Sequence, residues 1–151
     1  MLGYLRAHGA ADPEDVTSEV FLALVRQVTS FEGDEDGFRS LVFVIAHRRL
    51  LDERRHRTRH PVGATDSLDM VGESGNVEDE AIESLETRRV RALISELTED
   101  QRDVLLLRIV GGLTVEEVAR VVGRSRGAVK GLQRRGLAQL ARKLTMQAVP
   151  L

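Results

Sequence analysis

Val115-Glu-Glu-Val-Ala119-Arg-Val-Val-Gly123-Arg-Ser125-Arg126-Gly127-Ala-Val129-Lys130-Gly131-Leu132-Gln-Arg134 is the stretch whose spacing decides the fold. Ala119, Gly123, Val129 and Leu132 stand at the fifth, ninth, fifteenth and eighteenth places of a twenty-residue helix-turn-helix. A small side chain at Ala119 lets two helices cross closely, and Gly123 supplies the positive φ that ends the first of them. Val129 and Leu132 are three apart, so both point from the second helix into the shared core. Thr114-x-x-Glu117 is a capping box that starts the first helix, and Leu113 just ahead of it can staple onto Val118. That leaves Ser125, Arg126, Gly127, Lys130, Gly131 and Arg134 on the outer face and N-terminal end of the second helix, where a recognition helix meets the major groove. The competing reading is an ordinary helical hairpin with an Arg-rich surface; four matched positions plus a capping box weigh against it.

Working outward, Thr98-x-x-Gln101 is a second capping box, and Gly111-Gly112 separates its helix from the next. A helix over about 80–96 is expected before it, with Ile82, Leu85, Val90, Leu93 and Ile94 as its apolar stripe, and the last helix should run to about Lys143. Further upstream, Asp12-Pro13-Glu14-Asp15 is a strong helix start, with Asp as cap, Pro at the first position and acids at the positive end of the dipole. Val16, Val20, Phe21, Leu24 and Val28 then share one face. Residues 30–37, with Gly33 and Gly37 among four acids, read as a loop. A second helix begins near Phe38, carries Leu41, Val42, Val44, Ile45 and Leu51, turns basic at His47, Arg48, Arg49, Arg54, Arg55, Arg57 and Arg59, and stops at Pro61. Residues 61–79 hold three Gly, several acids and no periodic apolar face, the composition of a flexible linker. The organisation expected is all-α: a helical domain over 1–60, an acidic linker over 61–79 and a helix-turn-helix domain over 80–145. Met1-Leu-Gly-Tyr-Leu-Arg6 reads as the tail of a helix, so the native chain is expected to begin earlier or the domain to be short.

Bulk composition bounds the function. Of 151 residues, 42% are hydrophobic and 30% charged, ordinary for a folded chain. Aromatics are 3%, with no Trp and one Tyr, so Leu, Val, Ile and Ala must fill the cores, which suits packed helices. With no Cys, disulfides and thiolate chemistry are excluded. No apolar run approaches the roughly 20 residues that span a bilayer, and no signal-peptide pattern occurs, so a cytoplasmic address without membrane insertion is expected. The net charge of −2 hides segregation. Residues 1–40 carry three Arg against eight acids, 41–60 six Arg against two acids, 61–80 six acids and no Lys or Arg, and 81–151 thirteen basic against eight acidic residues. Two basic blocks flank an acidic strip, either as two phosphate-binding places or as solvated helix faces. No phosphate-binding glycine loop, HExxH or nucleophile–His–acid spacing is present, so neither an enzyme nor a cofactor is expected. His56 and His60 have metal-like spacing but sit among Arg with no third ligand evident, so no metal site is expected. Gly123, Gly127 and Gly131 imitate a membrane-helix pairing motif, which the Arg and Lys between them rule out.

Leu97-Thr-Glu-Asp-Gln-Arg-Asp-Val-Leu-Leu-Leu-Arg108, then Gly111-Gly-Leu-Thr-Val-Glu-Glu-Val-Ala119, then Gly127-Ala-Val-Lys-Gly-Leu-Gln-Arg-Arg135 closely resembles the sigma-4 domain of extracytoplasmic-function (ECF) sigma factors of bacterial RNA polymerase. Asp15-Val-Thr-Ser-Glu-Val-Phe21, Phe31, Gly37-Phe-Arg-Ser40 and Ile45-Ala-His-Arg-Arg-Leu-Leu-Asp52 resemble the sigma-2 domain of the same family. Two motif blocks in the right order are far more specific than either alone. The resemblance implies a transcription initiation factor whose partners are core RNA polymerase, promoter DNA and an anti-sigma protein. It implies that Asp15, Glu19 and Phe21 dock on the polymerase clamp, with the acids facing a basic coiled coil. It assigns the −10 element to Phe38, Phe43, His47, Arg48, Leu51, Arg54 and Arg55, and the −35 element to Thr114, Ser125, Arg126, Gly127, Lys130, Gly131, Arg134 and Arg135. The family's Trp is absent where Leu41 stands, which leaves Phe43 and Phe38 as candidate stacking surfaces for unwound DNA, or as core. Gly131 and Gly136 each cost a helix roughly 1 kcal/mol relative to Ala, with close approach of the backbone to DNA as the compensating benefit. Arg126 is expected to read guanine O6 and N7, and Lys130 and Arg134 to meet the flanking backbone. Two other classes compete: a free-standing helix-turn-helix regulator acting without polymerase, and a non-DNA adaptor held on a partner protein.

Overall fold

The computed structural model describes residues 1–60 and 84–148. Among them lie seven helices and no strand: α1 Leu2–Ala7, α2 Pro13–Gln27, α3 Glu35–Arg59, α4 Leu85–Ser95, α5 Glu99–Ile109, α6 Val115–Val122 and α7 Arg126–Ala148. The chain divides into two compact units, Met1–Glu80 and Ala81–Leu151. The acidic stretch expected as a linker, 61–79, lies outside the described residues.

In the N-terminal unit the opening residues form α1, which seats the buried Tyr4 and Leu5 against α2 and α3. The α2 start follows the reading: Asp12 Oδ1 accepts the Asp15 amide at 2.9 Å, and Pro13 occupies the first turn. Its apolar stripe divides. Val20 and Leu24 are buried and Val16 half-buried, whereas Phe21 and Val28 remain exposed, as do Leu22 and Val25 outside the stripe. Helix α3 begins at Glu35 rather than near Phe38, because Asp34 caps it by accepting the Gly37 amide at 2.8 Å. A glycine that reads as a loop residue is here the third helical residue, donating to a cap. The buried residues of α3 are Phe43, Ile45, Ala46, His47 and Leu50, and all but Ile45 follow the i, i+3, i+4, i+7 spacing of a core stripe. Arg6–Glu14 at 2.7 Å, Arg49–Glu19 at 3.5 Å and the Ala11 amide to Glu53 at 2.8 Å tie the edges together.

In the C-terminal unit, α5 is the centre. Val104, Leu105, Leu106 and Leu107 are all buried, so this helix is surrounded rather than one-faced. Both capping boxes form: Thr98 with Gln101 and Thr114 with Glu117 exchange side-chain and backbone bonds at 2.7–3.2 Å. Leu113 and Val118 are fully buried, as the staple requires. Helix α4 is capped by Ser84, with Leu93 buried, Ile94 half-buried and Leu85 and Val90 exposed; the start expected at 80 and Ile82 of its stripe lie outside the described residues. Its C-terminal end is closed by Arg102, whose guanidinium donates to the carbonyls of Ile94, Ser95 and Leu97 at 3.0–3.2 Å. Helix α7 outlasts the expected Lys143 and packs most extensively on α5. The two helices touch at Gly136, where a Cβ would lie 2.8 Å from Leu105 Cδ1. Gly136 therefore serves helix–helix contact inside the unit, which replaces the expectation that it brings backbone to DNA.

Candidate nucleic-acid interface

The helix-turn-helix is held by its own chemistry. Gly123 ends α6 at φ +67°, and Ser125 Oγ then accepts the Ala128 amide at 3.1 Å, opening α7 one residue later. Val118, Val129 and Leu132 lock α6 against α7 from the buried side. Arg108 on α5 donates to Gln133 Oε1 at 3.3 Å and to the Leu113 carbonyl, fixing the loop before α6 to the middle of α7. The outward end of α7 is thereby rigid while its face stays open.

On that face Ser125, Arg126, Gly127, Lys130, Arg134 and Arg135 are exposed. Lys130 and Arg134 line a shallow groove with Val115, Gln133 and Leu137. Gly127 has open space around its Cα, and the Arg135 guanidinium covers Gly131, 3.2 Å from where a Cβ would stand. Thr114 is exposed, with its hydroxyl engaged at the Glu117 amide as the cap of α6. Arg126 is not a free cation. Its Nη2 lies 2.7 Å from Glu116 Oε1, both side chains being about half exposed to solvent, at 63% and 50%. The Glu116 carboxyl is held below the ordinary glutamate range, first by its backbone hydrogen bond, then by the charge of Arg126, with smaller help from Lys130 and Thr114. Arg124, on the turn, pairs with Asp100 of α5 at 2.6 Å.

The N-terminal unit treats its candidates unequally. Phe43 and His47 are 5% and 3% exposed, inside the core. Phe43 meets Tyr4 edge-on at 5.4 Å, and the Tyr4 hydroxyl lies 3.0 Å from His47 Nδ1. These positions correct the expectation that Phe43 stacks on DNA and His47 faces it, because α3 turns this stripe onto α1. Arg54 is half-buried, its Nη2 donating to His8 Nδ1 at 3.0 Å, so it braces α3 to the end of α1. Leu51 is half-buried, and Phe38 is half-buried edge-to-face with Phe31 at 5.6 Å. Arg48 and Arg55 are exposed, Arg55 within 3.9 Å of Asp52. On α2, Asp15 and Phe21 are exposed, Phe21 at 58%, while Glu19 pairs within the unit to Arg49. His56 and His60 lie with ring centroids 4.8 Å apart, with no third metal ligand beside them among the described residues. No helix of the described residues is long and apolar enough to cross a membrane.

Sequence reasoning passed over Glu116, Arg124, Arg102 and Arg108. Glu116 reaches across to Arg126 of α7 and Arg124 ties the turn to Asp100 of α5, contacts that leave no periodic trace. Arg102 and Arg108 sit on a helix whose buried leucines set the pattern, so their reach to neighbouring carbonyls shows only in three dimensions.

Two family models match: Sigma-70 region 2 over residues 2–60 and Sigma-70, region 4 over residues 80–140. The chain is 34% identical over 142 residues to the ECF RNA polymerase sigma factor BldN of Streptomyces coelicolor, covering 93% of this chain and 54% of BldN. It is 32% identical over 131 residues to the ECF RNA polymerase sigma factor ShbA of Streptomyces griseus, covering 84% of this chain and 69% of ShbA. The chain thus spans about half the length of BldN, 54%, and about two thirds of ShbA, 69%. Among solved structures, the sigma factor RpoE in complex with the anti-sigma factor NepR, from Bartonella quintana, matches with a TM-score of 0.71 at 23% identity, covering 95% of this chain and 91% of that one. CnrH in complex with the cytosolic domain of CnrY matches with a TM-score of 0.65 at 24% identity, covering 97% and 81%. At those identities the likeness shows the fold. With region 2 and region 4 matched in order and a curated relative above 30% identity covered over more than two thirds of its length, the chain belongs to the ECF sigma factors of the sigma-70 family.

Proposed function

We propose that this chain binds core RNA polymerase and directs it to promoters by recognising a −10 and a −35 element. The observation that carries the reading is the open face of α7: a capped, rigid N-terminal end presenting Arg126, Lys130 and Arg134, in one chain with a region 2 unit. The −35 contacts are assigned to Ser125, Arg126, Gly127, Lys130, Gly131, Arg134 and Arg135, with Thr114 acting through its cap. Exposed Arg48 and Arg55 are assigned to phosphates near the −10 element, with Phe38 and Leu51 on the same helix; Arg54 braces that helix. Polymerase docking is assigned to the exposed side of α2, with Asp15 and the apolar set Phe21, Leu22, Val25 and Val28. Both structural neighbours are complexes with a second protein, which supports an anti-sigma partner for this chain too. The bacterial cytoplasm, where polymerase works, is its proposed address, and non-catalytic initiation its role.

Mixing the purified chain with core polymerase and resolving complexes by size tests the docking half. A stoichiometric complex is expected, and Phe21→Asp, an exposed change, should abolish it while leaving the helical melt intact. A chain that ignores core polymerase and binds duplex DNA as a dimer would be a free-standing regulator instead. For the −35 half, Arg126→Ala should cost about 1–3 kcal/mol on the preferred duplex and flatten discrimination at one base pair. Arg134→Ala should weaken all duplexes alike and lower the salt slope by about one.

A further inference from the structure

We propose that Glu116 is a specificity-determining positioning residue, whose carboxylate holds the Arg126 guanidinium in the orientation that reads a guanine edge. The inference rests on the assignment of Arg126 as a base reader. Arg126 is the first residue of α7, at the positive end of its dipole, where a cation has no local support. Support comes from the neighbouring helix. Glu116 stands in the first turn of α6, whose start is fixed by the Thr114–Glu117 capping box, and its Oε1 meets Arg126 Nη2 at 2.7 Å. The two helices cannot shift past each other, since Val118, Val129 and Leu132 are buried between them and Gly123 sets the turn. The carboxylate is therefore an anchored acceptor rather than a wandering one.

Arginine carries five N–H donors in a planar fork, and Glu116 occupies donor capacity at Nη2 alone. Enough donors remain for the two parallel bonds to O6 and N7 by which Arg selects guanine. Held on one side, the fork offers those donors in one plane, and fewer side-chain rotations are frozen on binding. An acid on the DNA-facing side of a cation cluster opposes phosphate binding, so affinity alone does not account for it. Discrimination does: Glu116 lowers binding to every sequence by its charge and restores it where Arg126 finds its guanine.

The test uses the full chain and the −35 duplex it selects from a randomised pool, with all single-base variants of that duplex, read by anisotropy at fixed salt. Arg126→Ala locates the base pair that Arg126 reads. Glu116→Gln is expected to narrow discrimination at that same pair by about threefold or more, while binding to the mismatched duplexes holds or rises. On the Arg126→Ala background Glu116→Gln should leave discrimination unchanged. Glu117→Gln removes an equal charge from the same turn and keeps a capping acceptor, so it should shift all duplexes by one factor. If Glu116→Gln also shifts all duplexes by one factor, Glu116 merely screens Arg126 and the proposal is overturned. If Arg126→Ala leaves the ranking of duplexes untouched, the base-reader assignment fails, and this inference fails with it.

Discussion

Two glycines of one helix make a paired test of the packing described here. Gly131 and Gly136 both lie within α7, so replacing either by Ala gains the same helix propensity, about 1 kcal/mol. What a Cβ meets differs. At 131 it would lie 3.2 Å from Arg135 Nη1, the tip of an exposed and flexible side chain that can swing aside. At 136 it would lie 2.8 Å from Leu105 Cδ1, 3.4 Å from Leu105 Cγ and 3.5 Å from Gln101 Cβ, against residues that are themselves buried. Overpacking of this kind costs about 1–3 kcal/mol. Gly131→Ala should therefore stabilise the C-terminal unit by up to about 1 kcal/mol. Gly136→Ala should destabilise it by roughly 0–2 kcal/mol, the propensity gain being outweighed. For a unit of this size each kcal/mol moves the melting temperature by about 4–8 °C. Calorimetry of the full chain, with hydrogen exchange at the Leu105–Leu107 amides to identify the unit that melts, reads both changes. If Gly136→Ala stabilises as much as Gly131→Ala, the close approach of α5 and α7 is wrong. A DNA-binding loss in Gly131→Ala alone would assign that glycine to backbone approach.

Three further outcomes follow from single contacts. Arg102→Ala removes the donor that closes α4, a loss of about 1–2 kcal/mol; hydrogen exchange should quicken in α4 first, and Lys should not rescue, because a point charge cannot replace the fork. Tyr4→Phe deletes the buried hydroxyl against His47 and should cost about 1 kcal/mol in denaturant titration with DNA affinity unchanged; lost affinity at full stability would return His47 to the DNA surface. Glu14, bonded to Arg6 at 2.7 Å, has its carboxyl held below the ordinary range by that hydrogen bond first and its backbone bond second. Its stabilising contribution is present above the unfolded glutamate value of about 4.3 and is lost as pH falls through the lower folded value; NMR titration of Arg6→Gln should show Glu14 moving back up.

Much of the C-terminal unit was legible because its signals are local. Two capping boxes, a staple and one left-handed glycine each fix a helix end within four residues, and α5, α6 and the start of α7 follow from them. The start of α3 was misplaced because Gly37 reads as a breaker, although Asp34 two residues into an acidic run is a cap for the helix that contains it. Phe43 reads as a stacking surface, or as core, because the family's Trp is missing nearby, and His47 reads as DNA-facing because of the arginines beside it, yet Phe43, Ala46, His47 and Leu50 already have core spacing. What no local pattern carries is the partner across a turn: Glu116 with Arg126, Asp100 with Arg124, Leu105 against Gly136. Those contacts set the open face of α7, and they depend on how the helices cross.

The central claim is that this chain gives core polymerase its promoter. Reconstituted transcription tests it most directly, with purified core enzyme and templates carrying the duplex sequences the chain selects. The account predicts transcripts from one defined start that require the chain, weaken when the −35 sequence is altered, and lose that dependence in Arg126→Ala. A chain that binds those duplexes while leaving core polymerase as inactive on the templates as it is alone would contradict it.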